Sequence, residues 1–193
     1  MLTQLATVKT RLAISAVDTQ YDSILTRGIA AVSAQFENVC CRTFGRTVDA
    51  TEEFSGEETE VLVACYPLET VARFEVKSSE TEGWTEQPDI SYLVRQNCII
   101  SLNCPLGTWR LQSCVIYTGG YVLPGNTPGL GQTSLPADLE QAAVEQVACW
   151  FRNRDALGVL RIWRYQGTYE QFEKMELLPN VSAVLKTYAR WGI

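Results

Sequence analysis

A chain of 193 residues that is 46% hydrophobic and 20% charged can bury one sizeable core, or a core with a smaller appendage, which excludes disorder as its general state. Its formal net charge of −6 makes it a poor candidate for gripping nucleic acid with its whole surface. The longest apolar runs, residues 28–34 and 61–66, fall far short of the ~20 residues that a membrane-spanning helix needs, so no membrane span is expected.

The first twelve residues, MLTQLATVKTRL, lack the basic region, apolar stretch and small-residue cleavage site of a secretory signal, so synthesis and retention in the cytoplasm are expected. Leu5, Val8 and Leu12 recur at helical spacing and predict a short helix over 3–13, with Thr3 as its N-cap. Asp18 is predicted to cap a longer helix with Tyr21, Leu25, Ile29, Val32, Phe36 and Val39 on one face, ending near Phe44–Gly45. Gly28, Ala30, Ala31 and Ala34 keep part of that helix slim, so that another helix can approach it closely.

From Thr47 to Tyr121 the period becomes two. Ala72, Phe74 and Val76 alternate with Arg73, Glu75 and Lys77, and Trp109, Leu111, Val115 and Tyr117 make a second apolar face. Turn signals at 55–58, 80–89, 95–97 and 103–107 divide this stretch into about five or six antiparallel strands. After YTGGYVLPG (117–125) and a Pro- and Gly-rich loop, a helix opens at Pro136, with Asp138 and Glu140 in its first turn. Leu139, Ala143, Val147, Trp150 and Phe151 form its apolar face as far as Asp155. RIWRY (161–165) follows. A last helical region, Tyr169 to Trp191, is broken at Leu178–Pro179 and carries Val181, Val184, Leu185 and Tyr188 on one side.

The expected fold class is therefore α+β: helices from both ends of the chain form a four-helix bundle, and an antiparallel β-sheet or barrel is inserted between helices 2 and 3. The corresponding divisions are 1–46, the N-terminal helices; 47–123, the inserted β domain; 124–135, a connecting loop; and 136–193, the C-terminal helices and tail.

Histidine is absent, which removes Ser-His-Asp and Cys-His catalysis and the histidine-based zinc sites together. The seven cysteines show no C-x-x-C spacing and read as small buried hydrophobes of a reducing compartment. Cys40–Cys41 at a helix end is the one candidate nucleophile, and without a base the pair reads more readily as core or interface. EEFSGEETE (52–60) lacks the spacing of a calcium loop and reads as the solvated rim of a hairpin, and GLG (129–131) lacks the residues of a phosphate loop. No catalytic residue, metal or cofactor is expected. Charge is segregated, with 12 acidic and 2 basic residues in 47–90 against 7 basic and 4 acidic in 149–193, a pattern suited to like copies meeting side by side or to an oppositely charged partner. Arg152, Arg154, Arg161, Trp163, Arg164 and Tyr165 mix cations with aromatics; a protein partner, a subunit interface and nucleic-acid contact all remain open for them.

Three features carry a family resemblance: the first helix, L-x-x-V-K-x-x-L (Leu5 to Leu12); the long Ala-rich second helix; and VIYTGGY followed by LPADLEQAAVEQVACW (Val115 to Trp150). The segment YPLETV (66–71) and the hairpin ISLNCPLG (100–107) are similar to the inserted sheet of longer members. The chain resembles the head-tail connector proteins of tailed bacteriophages, also called adaptor or head-completion proteins, over nearly its whole length. The resemblance implies a helical core and a non-enzymatic ring, commonly of twelve copies, in the virion neck. That ring would sit below the portal protein, carry the tail or next neck protein, and let duplex DNA pass without sequence-specific binding. By position it implies that the C-terminal segment, with Lys186, Tyr188, Arg190, Trp191 and Ile193, grips the portal. Closing the bundle is the open alternative for Tyr188 and Trp191. Another neck or tail-completion protein and, from a different class, a Cys-dependent enzyme or a ligand-binding protein are the alternative functions.

Overall fold

The computed structural model describes residues 1–154 and 177–190, together with the backbone of 161–163 and 169–171. Its elements run α1 (Leu5–Arg11), α2 (Asp22–Cys40), β1 (Thr47–Ser55), β2 (Glu60–Leu62), β3 (Leu68–Lys77), β4 (Trp84–Gln87), β5 (Tyr92–Arg95), β6 (Ile99–Leu102), β7 (Gln112–Gly119), β8 (Tyr121–Val122), β9 (Thr133–Ser134), α3 (Ala137–Arg152), β10 (Arg161–Trp163), β11 (Tyr169–Gln171) and α4 (Pro179–Tyr188). The chain is thus mixed α+β, and it divides into two units. The first takes Met1–Cys40 and Pro136–Tyr188; the second takes Cys41–Leu135 and the C-terminal residues from Ala189 onward.

In the first unit α3 packs against α1, α2 and α4. Leu25, Ile29, Val32, Phe36 and Cys40 line the buried side of α2, and Leu139, Ala143, Val144 and Val147 that of α3. Gly28 sits where α3 approaches: a methyl group there would lie 3.8 Å from Val147 Cγ1, which is ordinary contact. The N-terminus is held by Ser33, whose Oγ accepts the Leu2 N–H at 3.0 Å and donates to the Ile29 carbonyl at 2.8 Å. Lys9 of α1 forms an ion pair with Asp22 at 2.6 Å, with only 6% of the lysine side chain exposed. Pairing both charges is the condition under which such burial is tolerated.

Several expectations are corrected here. Thr3 does not cap α1: Gln4 holds the cap position without a side-chain bond, and the Thr3 hydroxyl points to Glu140 at 3.5 Å. Asp18 accepts the Gln20 N–H in a turn four residues ahead of the helix, which begins at Asp22. The helix then stops at Cys40 and not near Phe44, because Cys41 turns into the left-handed region (φ 50°) that ends helices. Cys40 is therefore the buried last contact, and Val39 is half exposed. Helix α3 ends at Arg152; Asp155 lies outside the described residues. Tyr169–Gln171, expected as helix, pairs antiparallel with Arg161–Trp163.

In the second unit one sheet has the order β1-β7-β3-β4 and another β2-β6-β5, all antiparallel. They share one core of Phe54, Val61, Val63, Cys65, Phe74, Ile100, Leu102, Val115 and Tyr117. Phe74, Val76, Val115 and Tyr117 point inward as the alternation predicts, whereas Ala72 does not. An irregularity between Val71 and Arg73 inserts one extra residue, so Val71 takes the inner place and Ala72 is expelled. Trp109 is 67% exposed because β7 starts only at Gln112, and Trp109 stands in the preceding turn. The 80–89 stretch, read as one long turn, contains the edge strand β4, so the strands outnumber the expected five or six.

Backbones converge where the chain leaves β7. Gly120 N–H donates to Pro67 O at 2.9 Å, Tyr121 N–H to Phe44 O at 2.8 Å and Arg46 N–H to Tyr121 O at 2.9 Å. Gly120 has φ 101°, and a Cβ on it would lie 2.6 Å from the Gly45 carbonyl and 2.9 Å from the Cys65 sulfur. Beside this crossing Arg42 is buried, its guanidinium carbon 3.2 Å from the Tyr66 ring centroid and within 5.4 Å of those of Phe44 and Tyr121, and it donates to the Tyr66 carbonyl. The parallel pair β8–β9 then ties the returning loop down just ahead of α3.

The two glycines should respond oppositely to alanine. Gly28→Ala is expected to stabilise the chain by about 0.5–1 kcal/mol, since a helix gains and nothing clashes. Gly120→Ala is expected to cost more than about 2 kcal/mol, through a left-handed backbone and a carbonyl in van der Waals overlap. Denaturant unfolding of both variants measures the pair of signs.

Candidate functional site

Of the side chains expected to meet partners, Arg152 and Arg154 fall at the end of α3, and Lys186 and Tyr188 at the end of α4. Arg152 is exposed in the last turn of α3. Arg154 folds back: it donates to the Phe151 carbonyl at 2.8 Å and lies 4.3 Å from the Phe151 ring and 5.6 Å from that of Tyr21. Those two rings meet edge to face at 5.2 Å. Arg161 and Trp163 belong to the backbone ladder of β10; Arg164, Tyr165, Trp191 and Ile193 lie outside the described residues.

Lys186 is exposed in the last turn of α4, where a cation complements the helix dipole. Tyr188 Oη lies 2.7 Å and 2.9 Å from the two Asp138 carboxylate oxygens, joining the end of α4 to the start of α3. Arg190 belongs to the second unit. Its Nη2 meets Glu52 Oε1 at 2.8 Å and also donates to the Leu62 carbonyl. The second Glu52 oxygen accepts the Ala64 N–H at 2.9 Å, so both carboxylate oxygens are engaged.

One residue further along β2's continuation, the Cys65 N–H donates to the Tyr117 hydroxyl at 3.0 Å. Burial pushes the Tyr117 phenol up to about 12; the Cys65 N–H bond pulls the other way, and the nearby Glu52 charge adds to the rise. Glu52 and Arg190 are thus part of a polar cluster at the margin of the β core. Nothing in sequence signals this pairing, because 138 residues separate the partners.

The acidic stretch 52–60 is dispersed by strand alternation. Glu52 turns to Arg190, Glu60 pairs with Arg95 at 2.7 Å, and Glu57 and Glu58 stand exposed at the β1–β2 turn. Glu53, Cys114, Glu75 and Glu86 form one cross-strand row. Burial raises the Cys114 thiol, and Glu53 and Glu75 raise it further, while burial raises that of Cys98; both shifts oppose thiolate chemistry. Cys40 is buried with its sulfur 3.5 Å from the Leu185 carbonyl, and Cys41 is exposed. Among the described residues no group of three or more Cys, Asp or Glu is placed to hold a metal ion.

Exposed apolar side chains are a surface feature that residue counting along the chain missed. On edge strand β5 all four residues are exposed, Leu93 by 63%, and Leu130 stands free in the loop before β9. The available signal was the unbroken run Tyr92-Leu93-Val94, which alternation cannot bury on one side.

With this geometry in hand, comparison with solved structures is decisive for the fold. The fold is shared with chains of gene transfer agent particles. A chain from the neck of an empty particle, computed with C6 symmetry, superposes with a TM-score of 0.60 at 15% identity over 97% of this chain and 89% of its own. A chain from the virion of a native gene transfer agent particle gives 0.59 at 13% identity over 97% and 89%. One from the neck of a native particle, computed with C12 symmetry, gives 0.55 at 14% identity over 98% and 89%. No family model matches the chain, and no curated protein does either.

Tyr117 offers a pH test of the cluster. An acid whose folded pKa is about 12 against an ordinary value of 10 keeps its proton longer when folded, so its stabilising contribution is full below about pH 10 and is lost as pH rises towards 12. Stability should fall over that window, and Tyr117→Phe should flatten the fall; unfolding of both proteins at stepped pH measures the difference.

Proposed function

We propose that the chain is a structural subunit of the neck of a phage-like particle: a head-to-tail adaptor that forms a ring below the portal and carries the tail or next neck protein. The carrying observation is the superposition, which spans 97% of the chain and therefore both units, on neck chains of gene transfer agent particles. The helices of the first unit act as the adaptor bundle, with the second unit inserted between α2 and α3. The proposed segments remain 1–46, 47–123, 124–135 and 136–193, and the protein is proposed to be made in the host cytoplasm and to reside in the virion neck.

A ring subunit needs two different lateral surfaces and two axial ones, and no reactive centre. The segregated charge, the exposed apolar edge at β5 and the raised thiols of Cys98 and Cys114 agree with that requirement. Lys186, Tyr188, Arg190, Trp191 and Ile193 are proposed to serve portal attachment, and Arg152, Arg154, Arg161, Trp163, Arg164 and Tyr165 to serve contacts with a neighbouring copy or partner. Duplex DNA crosses the lumen without sequence-specific binding, since a net acidic chain holds phosphate only weakly. No enzymatic activity, metal or cofactor is assigned. Twelve copies is the proposed count, and six is the second reading, because necks computed with C12 and with C6 symmetry both contain chains of this fold.

Light scattering separates these readings. Twelve copies of a 21.5 kDa chain give roughly 260 kDa and six roughly 130 kDa, formed alone or on the portal protein of the same particle. Removal of residues 186–193 is expected to abolish portal association, while Cys40→Ala with Cys41→Ala leaves it intact. A chain that stays monomeric and ignores the portal sinks the adaptor reading.

A further inference from the structure

The guanidinium of Arg190 is engaged within the chain's own second unit. One side of the clasp is the Glu52 carboxylate on β1 and the other is the Leu62 carbonyl on β2. Glu52 is itself immobilised, because β1 is laddered to β7 and its second carboxylate oxygen holds the Ala64 N–H at 2.9 Å. The pair is three-quarters or more buried, with side-chain exposures of 25% for Arg190 and 18% for Glu52, so solvent and salt screen it less than a surface ion pair.

Arginine suits this place because its planar fork serves a carboxylate and a carbonyl at once, and being pre-organised it loses little freedom in doing so. Along the chain the clasp stands two residues after α4 ends and one residue before Trp191. A tail left free would lose its backbone freedom at the moment of binding, which lowers affinity. A tail fastened at position 190 has met part of that loss during folding of the subunit.

We propose that Arg190 is a positioning residue for the portal-binding segment: Glu52 and the Leu62 carbonyl clamp it, and the clamp anchors that segment to the chain's own sheet at position 190. This rests on the reading of residues 186–193 as the portal-facing segment. It gives Arg190 an inward task, set by its bonds to the chain's own sheet.

The test uses the full chain with Glu52→Gln, Arg190→Ala and the double variant. Gln keeps an oxygen for the Ala64 N–H while removing the charge that holds the guanidinium. Hydrogen exchange of the C-terminal peptide, measured without any partner, reads the clamp; titration with the portal protein of the same particle reads its consequence. Both single variants should exchange faster from residue 189 onward and bind the portal about tenfold more weakly, because the competent tail is populated less. The double variant should bind no more weakly than either single one, because the two act through one contact. Unchanged exchange in both single variants overturns the clamp. Weaker binding by Arg190→Ala with full binding by Glu52→Gln also overturns it, since Arg190 would then touch the portal itself. Should Glu52→Gln fail to fold, Arg190→Lys takes its place: a lysine lacks the fork, so faster exchange supports the clamp and wild-type exchange refutes it. A wild-type chain that ignores the portal refutes the portal reading alone, and exchange still decides the clamp.

Discussion

At Gly119–Gly120 there is no room for a side chain, and the second unit is organised around that fact. The strand β7 is the middle of its sheet, paired with β1 on one side and β3 on the other. Where it ends, the chain must turn between the backbone of residues 44–46 and the carbonyls of Cys65 and Pro67. Glycine allows the left-handed turn and the close approach together. Once the turn is made, Tyr121 bonds to the segment leaving α2, β8 pairs with β9, and the chain is delivered to the start of α3. A Gly-Gly step followed by a Pro- and Gly-rich loop is therefore how one chain closes an inserted sheet and resumes a helix.

The chain's polar groups are consumed in holding its own ends: Ser33 secures the N-terminus, Asp138 meets Tyr188, and Glu52 meets Arg190. Apolar side chains that could have been buried stay outside on β5 and in the loop before β9. Exposed apolar edges of this kind are the surface features that protein interfaces draw on.

How much of this was legible in the sequence depended on whether the information was local. Helices α2 and α3 followed from apolar spacing at Leu25, Ile29, Val32 and Phe36 and at Leu139, Ala143 and Val147, because helical burial repeats within a few residues. Phe74, Val76, Val115 and Tyr117 were placed inward by alternation for the same reason. The failures were at irregularities. Ala72 was displaced by an extra residue in the ladder, Trp109 by a turn that runs on past residue 107 until β7 begins at Gln112, and Val39 by a helix end set by the backbone of Cys41. β4 was hidden because an exposed edge strand such as Trp84–Gln87 carries turn-like polar residues. At the candidate site the types of residue were legible but their partners were not: Arg190 was recognised as a tail residue, yet its tie to Glu52 spans the whole inserted unit in sequence.

The most direct measurement is electron cryo-microscopy of intact phage-like particles produced together with this chain, reconstructed around the neck without imposed symmetry. A ring between portal and tail whose repeating density accepts both units of this fold would establish the chain as a neck subunit and count its copies. Finding this chain in the capsid shell or the tail tube, or finding the neck ring filled by a different fold, would contradict that assignment.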